Sequence, residues 1–376
     1  MSTTIGLKLE PLDVLFFRDG RPFGAATRGE SDLPFPQTFA GAVWTALLDA
    51  HGCDFRRLAE RLREGRMAPS AAIEAAGAPP WIAATRVRGP WLARQATAGG
   101  PFEVFVPAPA ALHVDKTSPG ADRPALHRLE PLPSGRLPGW QPPESAPGLW
   151  PLWLRHPSPT ESATGYLTPD GLRAFLTGES VEPDQLLQPG DLYEKDHRTG
   201  IGIHPDRLSV EESLIYTASF LALKPEVALY GEVLLPDGVD RTVLHNIGAL
   251  RFGGEGRRVR VQILNQPYRW PEQALPTGSQ KPLVLLTTPG LFRQRWKPAV
   301  LNGCLLAAAV PGAVGVSGWD LARGGPKPNR FAVRAGSTYF LNEPLDPWPA
   351  TLSDRDRDAE QGWGCYLKGV WNDERR

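Results

Sequence analysis

The chain has 376 residues, 41% of them hydrophobic and 9% aromatic, which is long enough for two domains and apolar enough for a core. Its 40 prolines and 39 glycines demand many loops, and its three cysteines, Cys53, Cys304 and Cys365, are too few and too far apart for a disulfide framework or a zinc ribbon. The formal net charge is zero, which taken alone argues against a nucleic-acid binder.

Ile5, Leu7 and Leu9 alternate with other residues and predict a half-buried first strand running toward Phe16 and Phe17. RDGRPF, Arg18 to Phe23, follows with turn chemistry at Asp19-Gly20. After a loop ending in Pro34-Phe35-Pro36, Thr38 is placed to cap a helix whose Phe39, Val43, Leu47 and Ala50 form one stripe. Phe55, Leu58 and Leu62 mark a second amphipathic helix, and short strands are expected over Trp81 to Leu92 and Phe102 to Val106. Residues 107–160 hold 13 prolines, so little regular structure is expected in what reads as an insertion.

Thr168-Pro169 is a good helix start, with the helix running to Leu176. From Ile201 the chain becomes β-rich, with strands expected at Ser213–Leu223, Val227–Leu235, Arg258–Leu264, Leu283–Thr287, Leu305–Val310, Phe331–Phe340 and Gly364–Trp371. One helix, Arg241 to Leu250, is expected among them. Many strands with few helices predict an α+β fold, helices covering one sheet face. No internal repeat is legible. The N-terminus shows no basic region followed by an apolar stretch, and no run of about 18 apolar residues occurs, so a soluble cytoplasmic protein is expected.

The zero net charge hides a gradient. Residues 241–340 carry 14 Lys and Arg against 3 Asp and Glu, a local charge of +11. A polyanion senses the local field, because salt screens charges beyond roughly 8–10 Å. At the head of this segment stands RFGGEGRRVRV, Arg251 to Val261. It matches neither GxxxxGK[ST] nor GxGxxG after a strand, so it carries no nucleotide-hydrolysis signature. Two readings stay open: a tight connection with arginines in solvent, or a backbone cradle for an anion flanked by Arg257 and Arg258.

A second basic, glycine-rich segment, Gly318 to Gly336, contains Arg323, Lys327, Arg330 and Arg334. A third, Phe292 to Pro298, interleaves Arg293, Arg295 and Lys297 with Phe292 and Trp296, a pattern that suits base stacking or an amphipathic strand. Arg18 and Arg21 suit phosphate or base contact, or simply support their turn. His197, Arg198 and His204 follow Asp196, and two histidines seven apart without a cysteine make a weak metal pair, so no metal site is expected. There is no HExxH, paired-carboxylate or nucleophile-elbow motif. His51, at the end of the first helix, is the one candidate for a general base in metal-independent RNA cleavage.

The order of these motifs resembles the third-subunit family of the type III-B (Cmr) CRISPR effector, within the RAMP superfamily. The resemblance rests on EPLDVLFFRDGRPF (Glu10 to Phe23), PFPQTFAGAVWTALL (Pro34 to Leu48), DHRTGIGIHPDRLSVEESLIYTASFLAL (Asp196 to Leu223), LRFGGEGRRVRV (Leu250 to Val261) and SGWDLARGGPKPNRFAVRAGSTYFL (Ser317 to Leu341). It is weakest over residues 107–160.

The resemblance implies two ferredoxin-like (RRM-like) domains with long insertions, expected at 1–195 and 196–376, the second carrying the glycine-rich loop. It implies a non-catalytic subunit that caps the 5′ repeat-derived tag of a CRISPR RNA. That subunit would contact a large cyclase/polymerase-like subunit and the first backbone RAMP subunit, and would meet target RNA only indirectly. No cofactor and no membrane are expected. The expected RNA contacts are Arg18, Arg21, Arg198, Gly253, Gly254, Glu255, Gly256, Arg257, Arg258, Lys297, Arg323, Lys327 and Arg330. No RNP1-like aromatic motif is present, so recognition would fall to loops and backbone. A repeat-processing endoribonuclease using His51 and a purely structural adaptor are the competing readings.

Overall fold

The computed structural model describes residues 3–17, 28–29, 32–95, 97, 100–116, 124–133, 135–144, 146–203, 210–271, 276–278, 280–320 and 324–372, with the side chains of 28–29, 200–203 and 210–216 left out of the description. The fold is a mixture of helices and antiparallel sheets, as the strand-rich pattern predicts.

The larger sheet has eight strands in the order Leu186–Leu187, Tyr166–Leu167, Glu103–Pro107, Arg86–Arg94, Val227–Leu235, Thr3–Pro11, Arg258–Ile263, Ala249–Arg251. In the first strand Ile5, Leu7 and Leu9 are buried, and they turn toward helix α1, Pro36–Ala50. That helix begins at Pro36, whose fixed φ suits a first helical position. Phe35 rather than Thr38 occupies the N-cap, and no side chain caps it. Phe39, Val43 and Leu47 form the expected stripe. The Phe39 ring lies over Gly231 of the central strand, where a Cβ would stand 2.4 Å from the ring. Helix α2, Phe55–Glu64, is capped by the Asp54 carboxylate, and a further helix, α3 (Pro69–Ala75), follows it.

The smaller sheet has four strands in the order Leu305–Ala309, Thr338–Leu341, Gln280–Leu286, Tyr366–Asn372. Numbered along the chain, these strands lie side by side as second, third, first and fourth. Arg86–Arg94, Val227–Leu235, Thr3–Pro11 and Arg258–Ile263 of the larger sheet repeat that order. The repeat lies in topology, not in sequence.

The larger sheet runs across the expected boundary at 195. Val227–Leu235 and Arg258–Ile263 flank the first strand on both sides. The glycine-rich loop therefore belongs to the larger sheet, and the sheets change over between Ile263 and Gln280. The expected helix at Arg241–Leu250 is also absent. A single 3₁₀ turn, Arg241–Leu244, capped by Asp240, gives way to a strand at Ala249–Arg251. The expected strand Phe331–Phe340 is two strands broken by a turn at Gly336.

The described residues of 107–160 carry more regular structure than their prolines suggest. Leu112–Asp115 pairs with Leu126–Arg128 and Thr160–Ser162, and Glu130–Pro131 pairs with Leu152–Trp153. Arg128 fastens this region to the rest. Its guanidinium donates to the carbonyls of Phe175 in helix α4 (Pro169–Thr177) and Val370 in the last strand, both at 2.9 Å. It also stacks 4.9 Å from the Phe175 ring and pairs with Glu130. Helix α4 starts as expected, with the Thr168 hydroxyl accepting from the Gly171 amide.

The two sheets meet through aromatic side chains. Trp91, Tyr230 and Cys365 are buried together, with Tyr268 and Trp270 packed on them. The Glu232 carboxylate, 2% exposed, lies among them. It accepts from the Tyr230 hydroxyl and the Trp270 indole at 3.0 Å each, and Arg88 lies 3.7 Å away. Trp91 reaches across to the Thr287 carbonyl at 3.0 Å. Replacing Glu232 with Ala strands two buried donors and is expected to cost about 3 kcal/mol, read as a shift in the urea unfolding midpoint. Glu232→Gln retains an acceptor and should cost clearly less; an equal loss for both variants would contradict this account of the contact.

Candidate nucleic-acid interface

The glycine-rich run is the turn of a β-hairpin at the edge of the larger sheet. Its arms are Ala249–Arg251 and Arg258–Ile263, with Arg251 opposite Arg258 and Ala249 opposite Arg260. Phe252 is fully buried against Phe17, ring centroids 5.3 Å apart, and its amide donates to the Arg257 carbonyl at 2.8 Å. Gly253, Glu255 and Gly256 all have positive φ, at 93°, 55° and 65°. The Gly254 amide donates to the Phe16 carbonyl at 2.8 Å, and a Cβ on Gly253 would stand 2.4 Å from that same oxygen. The close backbone approach that glycine allows is thus made to the chain's own Phe16.

Arg257 is held inside the protein's own contacts. Its guanidinium pairs with the Asp13 carboxylate and lies 4.9 Å from the Phe220 ring. Arg198 lies over the same ring at 5.0 Å and pairs with Asp196 at 2.8 Å. Phe16 packs against Phe220 with centroids 5.1 Å apart. The structure thus gathers Gly253, Gly254, Arg257 and Arg198 around one aromatic pair. Asp13 is held below its ordinary carboxylate range, first by the Val14 amide and also by the Arg257 charge.

The exposed charge lies one residue further along. In Arg258–Ile263 the side chains alternate: Val259 enters the core, while Arg258 and Arg260 face solvent. Arg251 on the neighbouring arm is exposed too. Among the described residues Arg260 has a distant pair in Glu10 at 3.9 Å, and it is 67% exposed. Like charges set directly opposite across two strands repel, so Arg251 and Arg258 form a site that an anion would relieve. The next row of the same face runs Gln262, Lys8, Tyr230, Trp91. Its aromatic end is buried against Cys365, Tyr268 and Trp270, and Lys8 is buried too and paired with Glu10 at 2.8 Å, so the open charge on this face is that of Arg251, Arg258 and Arg260. Beside it, a groove of ≈ 570 Å³ is lined by residues including Lys8, Glu10, Lys224 and Arg260.

Several expected residues lie elsewhere. Arg330 forms a two-pronged pair with Asp358, at 2.7 and 2.5 Å. Lys327 is half-buried, and that burial lowers its amine pKa. Both belong to the projecting hairpin built on Ala313–Val316 and Arg330–Val333, where Trp319 and Phe331 are 60% and 74% exposed. Lys297 follows Trp296, which packs on the smaller sheet's own core and whose carbonyl accepts from the Tyr339 hydroxyl. Arg18, Arg21, Arg323 and His204 lie outside the described residues. His51 directs Nδ1 at the Leu47 carbonyl, 2.8 Å away, and sets its ring edge-on to Trp81. Arg251, Arg260, Asp13 and Phe220 were not among the expected site residues. The alternation Arg258-Val259-Arg260 could have marked Arg260, whereas Arg251 needs the hairpin register.

A family model described as CRISPR-associated protein (Cas_Cmr3) matches residues 7–371. Among solved structures, the chain is similar to one from the type III-B Cmr-β complex bound to cognate target RNA and AMPPnP. The identity is 17%, covering 90% of this chain and 86% of that one, with a TM-score of 0.49. It is similar at 16% identity, the same coverage and a TM-score of 0.48 to one from the same complex bound to cognate target RNA. A chain of the Csm1–Csm4 cassette with AMPPNP matches at 12% identity, covering 91% and 88%, with a TM-score of 0.33. No curated protein sequence matches significantly.

The turn geometry separates its glycines. Gly253→Ala forces both a positive φ and a clash with the Phe16 carbonyl, and is expected to cost about 2–3 kcal/mol in a thermal or urea melt. Gly256→Asn meets open space at a left-handed position that Asn tolerates, so it should stay within about 0.5 kcal/mol of the parent. Equal costs at the two positions would refute the packing role of Gly253.

Proposed function

The chain belongs to the Cas_Cmr3 family of CRISPR-associated proteins, and from that membership we propose that it is a non-catalytic RNA-binding subunit of a type III-B effector ribonucleoprotein. Within it, the chain anchors the 5′ repeat-derived tag of the CRISPR RNA and bridges the large cyclase/polymerase-like subunit to the RAMP backbone. The observation that carries the RNA contact is the Arg251–Arg258 opposition, extended by Arg260, on one open face of the sheet edge. Phosphates placed there would neutralise charges that otherwise repel, and backbone contacts fix an RNA's position without reading its bases.

The shared strand order of the two sheets supports reading each as a ferredoxin-like unit, the first spanning Thr3–Ile263 and the second Gln280–Asn372. Arg258 keeps its expected phosphate role. Arg257 and Arg198 become positioning groups that hold the hairpin against Phe220, and the Gly253–Gly256 turn sets its shape. Engagement of His51 with Leu47 and Trp81 favours the non-catalytic reading over a nuclease.

In a filter-binding titration of the assembled ribonucleoprotein, each phosphate contact on single-stranded RNA contributes about 0.7 to the slope of log affinity against log salt. Replacing Arg251, Arg258 and Arg260 together with Ala should therefore flatten that slope by about 2, with Gly256→Asn as an unaffected control. A triple variant with the parent slope would remove the phosphate assignment.

A further inference from the structure

Asp115, His127 and His156 converge in the proline-rich region, each half-buried and each from a different segment. Asp115 ends the strand Leu112–Asp115, His127 lies in its partner Leu126–Arg128, and His156 precedes Thr160–Ser162 on the other side. Asp115 Oδ1 stands 3.2 Å from His127 Nε2 and 3.4 Å from His156 Nδ1. The two imidazoles are 4.2 Å apart between centroids and tilted by 44°.

These separations match a metal's ligand shell. Zinc–nitrogen and zinc–oxygen bonds of about 2.0–2.1 Å at tetrahedral angles set neighbouring ligand atoms about 3.3–3.4 Å apart. Burial gives a second, independent indication. Among the described residues, Asp115 Oδ1 and His127 Nε2 are both shut off from solvent, and neither finds a hydrogen bond of acceptable geometry. Such groups are costly to leave unsatisfied. His156 Nδ1 also lies 3.0 Å from the Ser158 carbonyl and 3.2 Å from the Ser158 amide, contacts that coordination would replace. Two imidazoles with one carboxylate select a borderline divalent ion such as Zn²⁺ over Mg²⁺ or Ca²⁺.

We propose that Asp115, His127 and His156 form a zinc-binding site that cross-links the three segments of the proline-rich region. The ion supplies order where thirteen prolines limit hydrogen bonding. Three protein ligands leave a fourth position for water.

The test is metal analysis of the purified full-length chain after dialysis against zinc, followed by competition with a chromophoric chelator. One equivalent per chain is expected. His127→Gln and Asp115→Asn should each weaken zinc by more than the roughly 10–100-fold typical of outer-shell changes, with His51→Gln unchanged. Asp115→Asn preserves size and shape while removing the charge, so it keeps the test valid if a histidine variant fails to fold. Substoichiometric zinc in the parent, or retention of full affinity by Asp115→Asn and His127→Gln, would overturn the site and leave the cluster as imidazole–carboxylate contacts only.

Discussion

The buried Glu232 carboxylate is the contact on which the arrangement of the two sheets depends. Removing a carboxylate from water costs several kcal/mol unless its lone pairs are used. Here Tyr230 and Trp270 donate to it, and Arg88 supplies the opposing charge. Tyr230 sits on the larger sheet, and Trp270 lies on the segment leading to the smaller one. The carboxylate therefore pins the crossover segment against the sheet. The aromatic cluster of Trp91, Tyr230, Tyr268 and Trp270 adds apolar area to the larger cluster in which Val106, Leu167 and Leu186 pack with Leu283, Phe340, Leu367 and Trp371 of the smaller sheet.

That closure decides what the sheet can offer to RNA. Sheets of the RNA-recognition type stack bases on exposed rings. In this chain Trp91 and Tyr230 share a face of the larger sheet with Lys8 and Gln262, but they are spent on the inter-sheet contact. What stays open on the same face is its basic end, Arg251, Arg258 and Arg260. Charge without rings suits recognition of a backbone, and the missing RNP1 aromatics in the sequence fit that division. Arg257 and Arg198 both lie over Phe220, so the hairpin bearing the open arginines is anchored through its turn.

Val227–Leu235, a nearly continuous apolar run buried on both faces, falls where the sequence reading places it. The segment 241–250 misleads because Val243, Leu244, Ile247 and Leu250 repeat at helical spacing. The same residues face the core from a 3₁₀ turn followed by a strand, which period alone cannot distinguish. The division of the chain was not legible either, since Thr3–Pro11 pairs with partners more than 200 residues away. The basic run was visible, but the roles within it were not. Which arginine is paired and which is free depends on register and on Asp13, 244 residues from Arg257. The Asp115–His127–His156 cluster follows no motif spacing and arises where two paired strands meet the segment that leads into Thr160–Ser162.

The central claim is that RNA meets the open arginine face at the edge of the larger sheet. Ultraviolet crosslinking of the assembled ribonucleoprotein, with mass-spectrometric mapping of the RNA-bearing peptides, tests it most directly. The account predicts crosslinks to the 5′ tag within residues 249–263. Crosslinks confined to the projecting hairpin around Trp319 and Phe331, with none in 249–263, would contradict it.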